Sequence, residues 1–463
     1  MCGVAGIYAP GHDAARLAFF ALYALQHRGQ ESAGIAAADG GTLRSHKEMG
    51  LIGAIFDEDN LRELNGYIAV GHTRYSTTGS SIVVNAQPLL EQSTIGDFAF
   101  AHNGNITNTD ELRESLSPGV TLQATSDSEV MAKLLVESDG TMLERIRALL
   151  ERARGAYSIA LCTKDELYAF RDPWGVRPLC LGIYGTGGYV VASESCALST
   201  IGATYVRELL PGEIIRISKD GLHSERVRID EKPALCMFEY IYFARPDSNF
   251  SGESVYMARY RMGRELAREY PVEADVVMAV PDSAIPGAIG YAAESGLPYV
   301  EGLIKNRYIG RTFISPEQHM RSRGVHLKFN PVIENLNQQR VVVVDDSIVR
   351  GTTTPRIVQL LREAGAAEVH VRVSSPPIMH PCYLGVDMAT YDELIAANHT
   401  VEEIRERMGA DSLGYLSLDG LIASTGRSRD EMCLGCLTGT YPSVPAWHHS
   451  RAAPPFDKLR VTT

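Results

Sequence analysis

Apolar residues in the first half of the chain come in short runs that Gly and Asn clusters separate. Runs of this length between turn-forming residues are typical of strands in packed antiparallel sheets. The runs are Tyr67–Val70, Phe98–Ala101, Ser158–Leu161 and Tyr189–Ala192. Helical patterns interleave with them, at Ala14–Leu25, Asp127–Leu135 and Met142–Arg152. This mixture predicts an α+β region in which helices pack over sheets.

The second half of the chain changes to alternating strands and helices. Two buried-type strands are predicted at Asp275–Val280 and Arg340–Asp345, and a further strand at Val369–Val373. Between the last two, the pattern predicts a helix over residues 354–363, because Pro355 lies near its first turn and a glycine follows its end. A strand, a helix and a strand at this spacing indicate a parallel βαβ unit.

This change of pattern divides the chain into two predicted domains. We expect an α+β domain at residues 2–230 and an α/β domain at residues 231–442. Residues 443–463 mix Pro, His and basic groups without periodicity, so we expect a flexible tail there.

Composition narrows the classes of function. The 463 residues are 45% hydrophobic and 22% charged, as in soluble globular proteins. No apolar run approaches the ~20 residues that span a bilayer, and the N-terminus has no basic patch before an apolar stretch, so we expect no membrane contact and a cytoplasmic location. The net charge of −12 argues against nucleic-acid binding. Eight cysteines without an export signal do not suggest a disulfide framework.

Cys2 is a candidate nucleophile. Because a small second residue usually permits removal of the initiator methionine, Cys2 is expected to carry a free α-amino group. An amine with a pKa near ~8 can act as general base for the adjacent thiol, so no histidine partner is needed.

Three further motifs in the first half carry side chains that can bind a carboxylate, an oxyanion or an ammonium group. Arg74, within His72–Thr77, can bind a carboxylate through two hydrogen bonds. Asn103 and Gly104 follow an apolar strand and can donate to a developing oxyanion. Asp127 begins a predicted helix, where it can cap the helix or receive an ammonium group. Taken singly, each has a structural alternative: a surface ion pair, a type I′ turn and a helix cap.

The stretch from Val341 to Thr353 is the most informative in the chain. Four apolar residues predict a buried strand, Asp345 and Asp346 follow at its carboxyl end, and a small, hydroxyl-rich loop leads into a helix. Ligands of open parallel sheets bind at that edge. Backbone N–H groups, Thr hydroxyls and the helix N-terminus favour an anion, and the paired acids favour ribose hydroxyls or Mg²⁺. An ordinary strand-to-helix turn is the alternative.

A basic segment lies between these strands. It begins with Lys305 and Arg307 and continues to Lys328, within an acidic protein. The segment resembles the flexible loop that closes over substrate in phosphoribosyltransferases. The resemblance implies a lid that brings cations to a departing pyrophosphate group and excludes water. A solvated loop is the alternative.

Four of the cysteines are candidates for a metal centre. Cys433 and Cys436 form a C-x-x-C pair, and Cys236 and Cys382 are the other two candidates. Four thiolates can bind a tetrahedral Zn²⁺ or a [4Fe–4S] cluster, and the spacing does not decide between them. We expect the three cysteines at positions 162, 180 and 196 to be core residues.

These motifs together resemble those of a known family. Residues 1–7 and 25–34, with Arg74, Asn103-Gly104 and Asp127, resemble an N-terminal-nucleophile glutaminase domain. The loop at 345–353 resembles the phosphoribosyl pyrophosphate loop of type I phosphoribosyltransferases. Over Cys2 to Pro442 the chain is similar to the glutamine phosphoribosylpyrophosphate amidotransferases. The resemblance implies an α+β N-terminal-nucleophile glutaminase sandwich joined to an α/β type I phosphoribosyltransferase domain.

The resemblance also implies a reaction and a role for each residue. Glutamine supplies ammonia, which displaces pyrophosphate from phosphoribosyl pyrophosphate to give 5-phosphoribosylamine, the first committed step of purine synthesis. The implied glutaminase residues are Cys2 as nucleophile, Asn103 and Gly104 as oxyanion hole, and Arg28, Arg74 and Asp127 as the glutamine pocket. The implied phosphoribosyl pyrophosphate residues are Asp345, Asp346, Ser347, Arg350, Gly351, Thr352, Lys305 and Arg307, with Ser283, Asp345 and Asp346 as Mg²⁺ ligands.

The cluster-bearing subgroup of the family has cysteines in the settings of Cys236, Cys382, Cys433 and Cys436, which implies a [4Fe–4S] cluster rather than zinc. The family further implies a homotetramer that purine nucleotides inhibit. Two other functions stay open: the same glutaminase with another acceptor, as in glucosamine-6-phosphate or asparagine synthases, and a non-catalytic regulator that senses phosphoribosyl pyrophosphate.

Overall fold

The first half of the chain folds into two stacked antiparallel sheets. The computed structural model describes residues 1–76, 79–306 and 328–443. In spatial order, the strands of the first sheet within these ranges are β11 (Thr204–Glu208), β9 (Cys180–Tyr184), β10 (Gly188–Ala192), β1 (Gly3–Tyr8), β4 (Ile68–Arg74), β2 (Ser32–Ala38) and β3 (Leu43–Met49). Those of the second sheet are β13 (Gly221–Arg226), β12 (Glu213–Ser218), β8 (Leu167–Arg171), β7 (Gly155–Cys162), β6 (Phe98–Ile106) and β5 (Leu89–Glu91).

The two sheets pack face to face and helices cover their outer faces. Val4 and Val70 of the first sheet belong to the same buried cluster as Ala99 and Leu167 of the second. The helices of this half are α1 (Ala14–Ala24), α2 (Ile52–Ile55), α3 (Glu58–Glu63), α4 (Thr109–Glu114), α5 (Asp127–Glu137), α6 (Met142–Arg152) and α7 (Ser195–Thr200), with a 3-10 turn at Val83–Asn85. Because α1 covers the first sheet and α5 and α6 cover the second, the half has four layers.

Close packing after α1 brings its C-terminal loop onto the first sheet. A Cβ on Gly29 would lie 2.5 Å from the backbone carbonyl of Thr73, so only glycine fits there. This contact places the neighbouring Arg28 side chain against the start of β1, where Cys2 lies.

The second half contains an open parallel sheet in the order β17 (Val276–Ala279), β20 (Arg340–Asp345), β21 (Glu368–Val373) and β22 (Ser412–Tyr415). Successive valines of β20 alternate between the two faces of this sheet. Val342 and Val344 pack with the layer of α8 (Val255–Glu269) and α9 (Ile285–Ser295). Val341 and Val343 pack with the layer of α11 (Thr354–Glu363) and α13 (Val401–Met408).

Shorter elements complete this half. The strands are β14 (Leu235–Cys236), β15 (Asn249–Phe250), β16 (Glu253–Ser254), β18 (Leu303–Lys305), β19 (Phe329–Pro331) and β23 (Met432–Cys433). The helices are α10 (Ile333–Leu336), α12 (Ile395–Asn398), α14 (Leu418–Thr425) and α15 (Gly435–Thr438), with a π-helical turn at Glu239–Phe243 and 3-10 turns at Tyr391–Glu393 and Arg429–Glu431. No helix in the described ranges is long and apolar enough to span a membrane.

The predicted architecture is confirmed, and strand lengths show where apolar patterning misleads. The helix predicted at residues 354–363 has those bounds. The strand predicted at Phe98–Ala101 continues to Ile106, because residues 99–106 pair along their length with β7. Backbone pairing therefore carries the strand through the polar residues that follow its apolar run. Of the tail predicted at 443–463, only Ser443 is described.

Candidate active site

Cys2 lies immediately before β1, which pairs with β4 and β10 on its two sides. Its backbone N–H donates to Asn103 Oδ1 at 2.9 Å, and its thiol lies 3.6 Å from the backbone carbonyl of Tyr75. Met1 precedes Cys2 in the chain and is buried, so the Cys2 nitrogen is a backbone amide in this form. Removal of Met1 would convert it into an α-amine beside the thiol, held by the Asn103 side chain.

Asn103 and Gly104 lie in β6, within the second sheet. Asn103 is fully buried, and its Nδ2 has no hydrogen-bond partner among the described residues. Gly104 cannot be replaced without displacing β7, because a Cβ there would lie 1.9 Å from the carbonyl oxygen of Ala156. A buried donor that the protein leaves unpaired is what an incoming oxyanion requires. The alternative of a tight turn is wrong at this position.

Arg74 and Asp127 are both buried. Arg74 ends β4, and its Nη1 bonds Glu31 Oε1 at 2.5 Å and the carbonyl of Ser80 at 3.1 Å. Its side chain is only 3% exposed, so the alternative of a surface ion pair is wrong. Asp127 Oδ2 accepts from the backbone N–H of Ile106 at 3.0 Å, and the N-cap position of α5 is occupied by Ser126, whose side chain makes no capping hydrogen bond. Asp127 therefore joins its helix to the end of β6.

Arg28 lies deeper than a direct glutamine contact would suggest. Its Nε donates to the carbonyl oxygen of Cys2 at 3.0 Å, and its other nitrogens bond the carboxylates of Glu194 and Glu239. All three side chains are fully buried. In the structure Arg28 contacts the backbone of the candidate nucleophile.

Asp345, Asp346 and Ser283 meet at one edge of the parallel sheet. β17 and β20 are parallel neighbours, so the residues after their carboxyl ends lie side by side. Ser283 Oγ donates to Asp346 Oδ2, and Ser347 Oγ donates to Asp346 Oδ1 at 2.7 Å. Burial, and then the charge of Asp346, raise the pKa of Asp345 well above its usual range. Burial also raises the pKa of Asp346, although hydroxyl donors oppose this.

The loop after Asp346 carries a cation that is already paired. Arg350 bonds Glu393 Oε2 at 2.7 Å, and its Nη2 lies 3.6 Å from Asp387 Oδ2. Gly351 has a φ of +66°, in the left-handed region that favours glycine. Thr352 is exposed between Gly351 and the start of α11. The expected anion-binding residues thus share one loop, at the edge where the two aspartates emerge.

The predicted lid is described only at its ends. Lys305 closes β18, and its Nζ pairs with Asp282, next to Ser283. This places one lysine of the basic segment at the aspartate edge. Arg307 lies outside the described residues, as does the segment up to residue 327.

A segment of the second half, residues 383–387, lies against the glutaminase residues. The Tyr383 carbonyl accepts from Asn105 Nδ2 at 2.9 Å. The backbone of Gly385 approaches Gly104 so closely that a Cβ would lie 3.1 Å from its carbonyl carbon. Asp387 Oδ2 accepts from Tyr75 at 3.0 Å and also faces Arg350. One short segment therefore touches both candidate sites, which the sequence did not reveal.

The four candidate cysteines share one buried neighbourhood. Cys236 and Cys433 are paired neighbours in the parallel strands β14 and β23. Burial, followed by the charges of the other three cysteines, raises the pKa of Cys436. The thiols at 236, 382 and 433 each accept a backbone N–H from the residue two positions later. Within the described ranges, however, no three Cys, His, Asp or Glu side chains are arranged to bind a single metal ion.

Two carboxylates of the candidate glutamine site were not predicted from the sequence. Glu31 bonds both Arg74 and the backbone N–H of Ser76, and Glu239 reaches Arg28 from the second half. Glu31 lies within the motif at 25–34, so its charge beside Arg74 was a usable signal. Glu239 is 211 residues from Arg28, and no local pattern connects them.

Two family models match separate parts of the chain. A family described as a glutamine amidotransferase domain matches residues 72–200, and one described as a phosphoribosyl transferase domain matches residues 253–401. The amidophosphoribosyltransferase of Synechococcus elongatus is 51% identical over 448 residues, which is 95% of this chain and 91% of that protein. That of Bacillus subtilis is 50% identical, over 96% of this chain and 94% of its own.

Solved structures of similar enzymes also match nearly the whole chain. The glutamine phosphoribosylpyrophosphate amidotransferase of B. subtilis, solved with ADP and GMP, has a TM-score of 0.90 at 49% identity, covering 96% of this chain and 97% of that one. A structure described as the allosteric regulatory enzyme of purine biosynthesis has a TM-score of 0.91 at 48% identity, covering 98% of both chains.

Proposed function

The chain belongs to the amidophosphoribosyltransferase family, and from that membership we propose which of its residues carry out the family's reaction. The enzyme forms 5-phosphoribosylamine from phosphoribosyl pyrophosphate and glutamine, releasing glutamate and pyrophosphate, in the first step of purine biosynthesis. We assign the glutaminase to residues 2–230 and the phosphoribosyltransferase to residues 231–442. The last strand of the sandwich ends at Arg226 and the next strand begins at Leu235, which supports this boundary.

In the glutaminase half, Cys2 attacks the amide carbon of glutamine. The α-amine takes the thiol proton as the sulfur–carbon bond forms, and then gives it to the departing ammonia. Asn103 Nδ2 and the backbone of Gly104 stabilise the oxyanion, and water hydrolyses the resulting thioester to glutamate. Arg74 binds the α-carboxylate and Asp127 the α-ammonium of the substrate, while Arg28 supports the pocket through Cys2.

In the second half, ammonia attacks C1 of the sugar and the bond to pyrophosphate breaks. The amine then loses a proton, which leaves 5-phosphoribosylamine. Asp345 and Asp346 bind the ribose, while Ser347, Arg350, Gly351 and Thr352 bind the 5′-phosphate. Lys305 and Arg307 bind the departing pyrophosphate. The contacts of residues 383–387 with both sites support direct passage of ammonia from one to the other.

The acidic edge suits a magnesium ion bound with the substrate. Asp345, Asp346 and Ser283 offer oxygen ligands, which Mg²⁺ prefers, and Ser283 is already bonded to Asp346. When bound there, the ion neutralises charge on the pyrophosphate.

One observation carries the glutaminase assignment: Asn103 binds the Cys2 nitrogen through Oδ1 while its buried Nδ2 has no partner among the described residues. The test replaces Cys2 with Ala and measures product formation with glutamine and with ammonium. Glutamine-dependent activity is expected to fall at least ~10⁴-fold, and ammonium-dependent activity to persist. Cys162→Ala, a buried thiol of the sandwich core, is the control. Retained glutamine-dependent activity in Cys2→Ala would refute the assignment.

We further propose that Cys236, Cys382, Cys433 and Cys436 bind a [4Fe–4S] cluster. Their shared buried neighbourhood supports this, as do the three backbone N–H groups directed at sulfur, which stabilise thiolate ligands. Arg177, whose pKa the nearby thiolates raise against the effect of burial, adds positive charge beside them. The cluster would join the C-terminal segment to the rest of the second domain.

Metal analysis of anaerobically purified protein tests the cluster. Four iron and four sulfide per chain are expected, with loss of both in Cys433→Ser and retention in Cys196→Ser. One zinc per chain, or no metal in folded protein, would contradict the proposal.

We also propose inhibition by purine nucleotides and a homotetrameric assembly. The B. subtilis relative was solved with ADP and GMP, which supports the first. Titration of activity with GMP, and the mass of the enzyme in solution by light scattering, test the two claims separately.

A further inference from the structure

We propose that Glu239, in the phosphoribosyltransferase half, is a positioning residue for the nucleophile of the glutaminase half. It acts through Arg28 and contacts neither substrate. The inference rests on the proposed role of Cys2, and it adds a requirement: the second half must supply a carboxylate for the glutaminase site to be complete.

The contact between the halves is direct and fully buried. Glu239 is the first residue of the π-helical turn at Glu239–Phe243. Its Oε1 accepts from Arg28 Nη2 at 2.7 Å and its Oε2 from Arg28 Nη1 at 3.0 Å. Both side chains are fully buried. Two parallel hydrogen bonds fix the plane of the guanidinium, so its remaining donor, the Nε–H group, has a defined direction.

The Nε–H group of Arg28 contacts the backbone of the candidate nucleophile. Arg28 Nε donates to the carbonyl oxygen of Cys2 at 3.0 Å. The pairing of β1 with β4 begins at Gly3, so Cys2 lies beyond the ladder. Its amide nitrogen is bonded to Asn103 and its carbonyl to Arg28, one contact on each side of the Cα. Together they set where the α-amine and the thiol lie relative to each other.

Glu194 cannot substitute for Glu239. It also pairs with Arg28, but it additionally accepts from His27 Nε2 at 2.7 Å, Ser248 Oγ at 2.7 Å and the backbone N–H of Arg245 at 2.9 Å. These three additional hydrogen bonds hold the Glu194 carboxylate in its present position. Glu239 has Arg28 as its bidentate partner and Arg177, 3.7 Å away, as a second cation. Glu239 therefore faces two buried arginines, and removing its negative charge leaves buried positive charge without that partner.

The test uses Glu239→Gln in the full enzyme, with activity measured from glutamine and from ammonium. We expect kcat with glutamine to fall about 10- to 100-fold, because small displacements of reacting groups have effects of that size. The KM for glutamine should change little, since Arg74 and Asp127 are untouched. The rate at which a glutamine-mimicking diazoketone labels Cys2 should fall in parallel. Ammonium-dependent activity should stay within twofold, because ammonium bypasses Cys2.

Two further variants keep the outcome interpretable. Glu213→Gln removes another buried carboxylate paired with an arginine, Arg207, away from Cys2, and should change neither activity. Glu239→Asp retains the charge and should restore part of the labelling rate. Normal labelling in Glu239→Gln would overturn the inference, as would an equal loss of both activities, which would indicate a folding role. Failure of the Cys2 assignment itself would be seen separately, as glutamine-dependent activity in Cys2→Ala.

Discussion

Each half of the molecule places an arginine beside a glutamate in its candidate site, and the two pairs differ in burial. Arg74 and Glu31 in the glutaminase half are 3% and 16% exposed. Arg350 and Glu393 in the other half are 37% and 36% exposed. A buried pair has a fixed geometry, whereas an exposed pair is weakened by water and salt and is readily exchanged for a ligand. We therefore expect the Arg74 pair to keep its geometry when glutamine binds, and the Arg350 pair to open when phosphoribosyl pyrophosphate binds.

A substitution in the aspartate pair, Asp345 and Asp346, should give the largest difference between the activities of the two halves. In Asp346→Asn we expect product formation to fall by ~10²–10³-fold with either nitrogen donor, because ribose and magnesium binding both suffer. Labelling of Cys2 by the diazoketone should be unchanged. Asp275→Asn, at the opposite end of the same strand pair and bonded to Arg340, is the matched control. Equal loss of Cys2 labelling would show that the two sites are not separable in this way.

Low pH should lower the stability of the glutaminase half through protonation of His72, which lies in β4 two residues from Arg74. Burial lowers its pKa from 6.5 to about 3. The folded protein thus favours the neutral form of the His72 ring. The contribution of His72 to the free energy of unfolding is fully present above pH 6.5 and decreases as the pH falls towards 3. Each unit in that window costs about 1.4 kcal/mol.

The thermal midpoint at pH 7 and pH 5 checks this effect. The thermal midpoint of the wild type should fall more between pH 7 and pH 5 than that of His72→Gln, because glutamine cannot gain the proton. His223→Gln, an exposed histidine of the same half, should behave as wild type. Identical acid sensitivity in His72→Gln and wild type would assign the effect to other groups.

Loss of the Glu31 carboxylate should affect glutamine binding rather than turnover. In Glu31→Gln the guanidinium of Arg74 loses its charged partner, and KM for glutamine should rise about tenfold, as expected for one charge-assisted hydrogen bond. Initial rates at varied glutamine, with exposed Glu48→Gln as the control, test this. An unchanged KM would show that Arg74 is held without Glu31.

The exposed pair should give the smallest effect, in the opposite direction. Glu393→Gln removes a carboxylate that competes with substrate for Arg350, so KM for phosphoribosyl pyrophosphate should fall about two- to threefold at low salt. The difference should disappear in concentrated salt, because screening weakens exposed pairs. A rise in KM would mean that Glu393 orients Arg350 for the substrate, and the contrast between the two pairs would then fail.

Local pattern was sufficient where one element carries the chemistry. The strand, the two aspartates and the helix start between Arg340 and Thr354 are contiguous, so their order alone predicts the edge at which they lie. The same holds for the buried Asn103-Gly104 motif, although the extent of β6 required its partner strand. Arg28 shows the limit: its residue type and place in a motif were recognised, but its contact with the Cys2 carbonyl was not.

The amino-acid sequence by itself determined the two architectures, the candidate nucleophile and the acidic loop, because hydrophobic period and short-range motifs specify single elements. Tertiary structure alone decided that Glu239 reaches Arg28, that residues 383–387 touch both sites, and that four cysteines from distant positions share one neighbourhood. Such contacts depend on how completed elements pack. The free energy that fixes them is spread over whole buried faces, so no local run of residues records it.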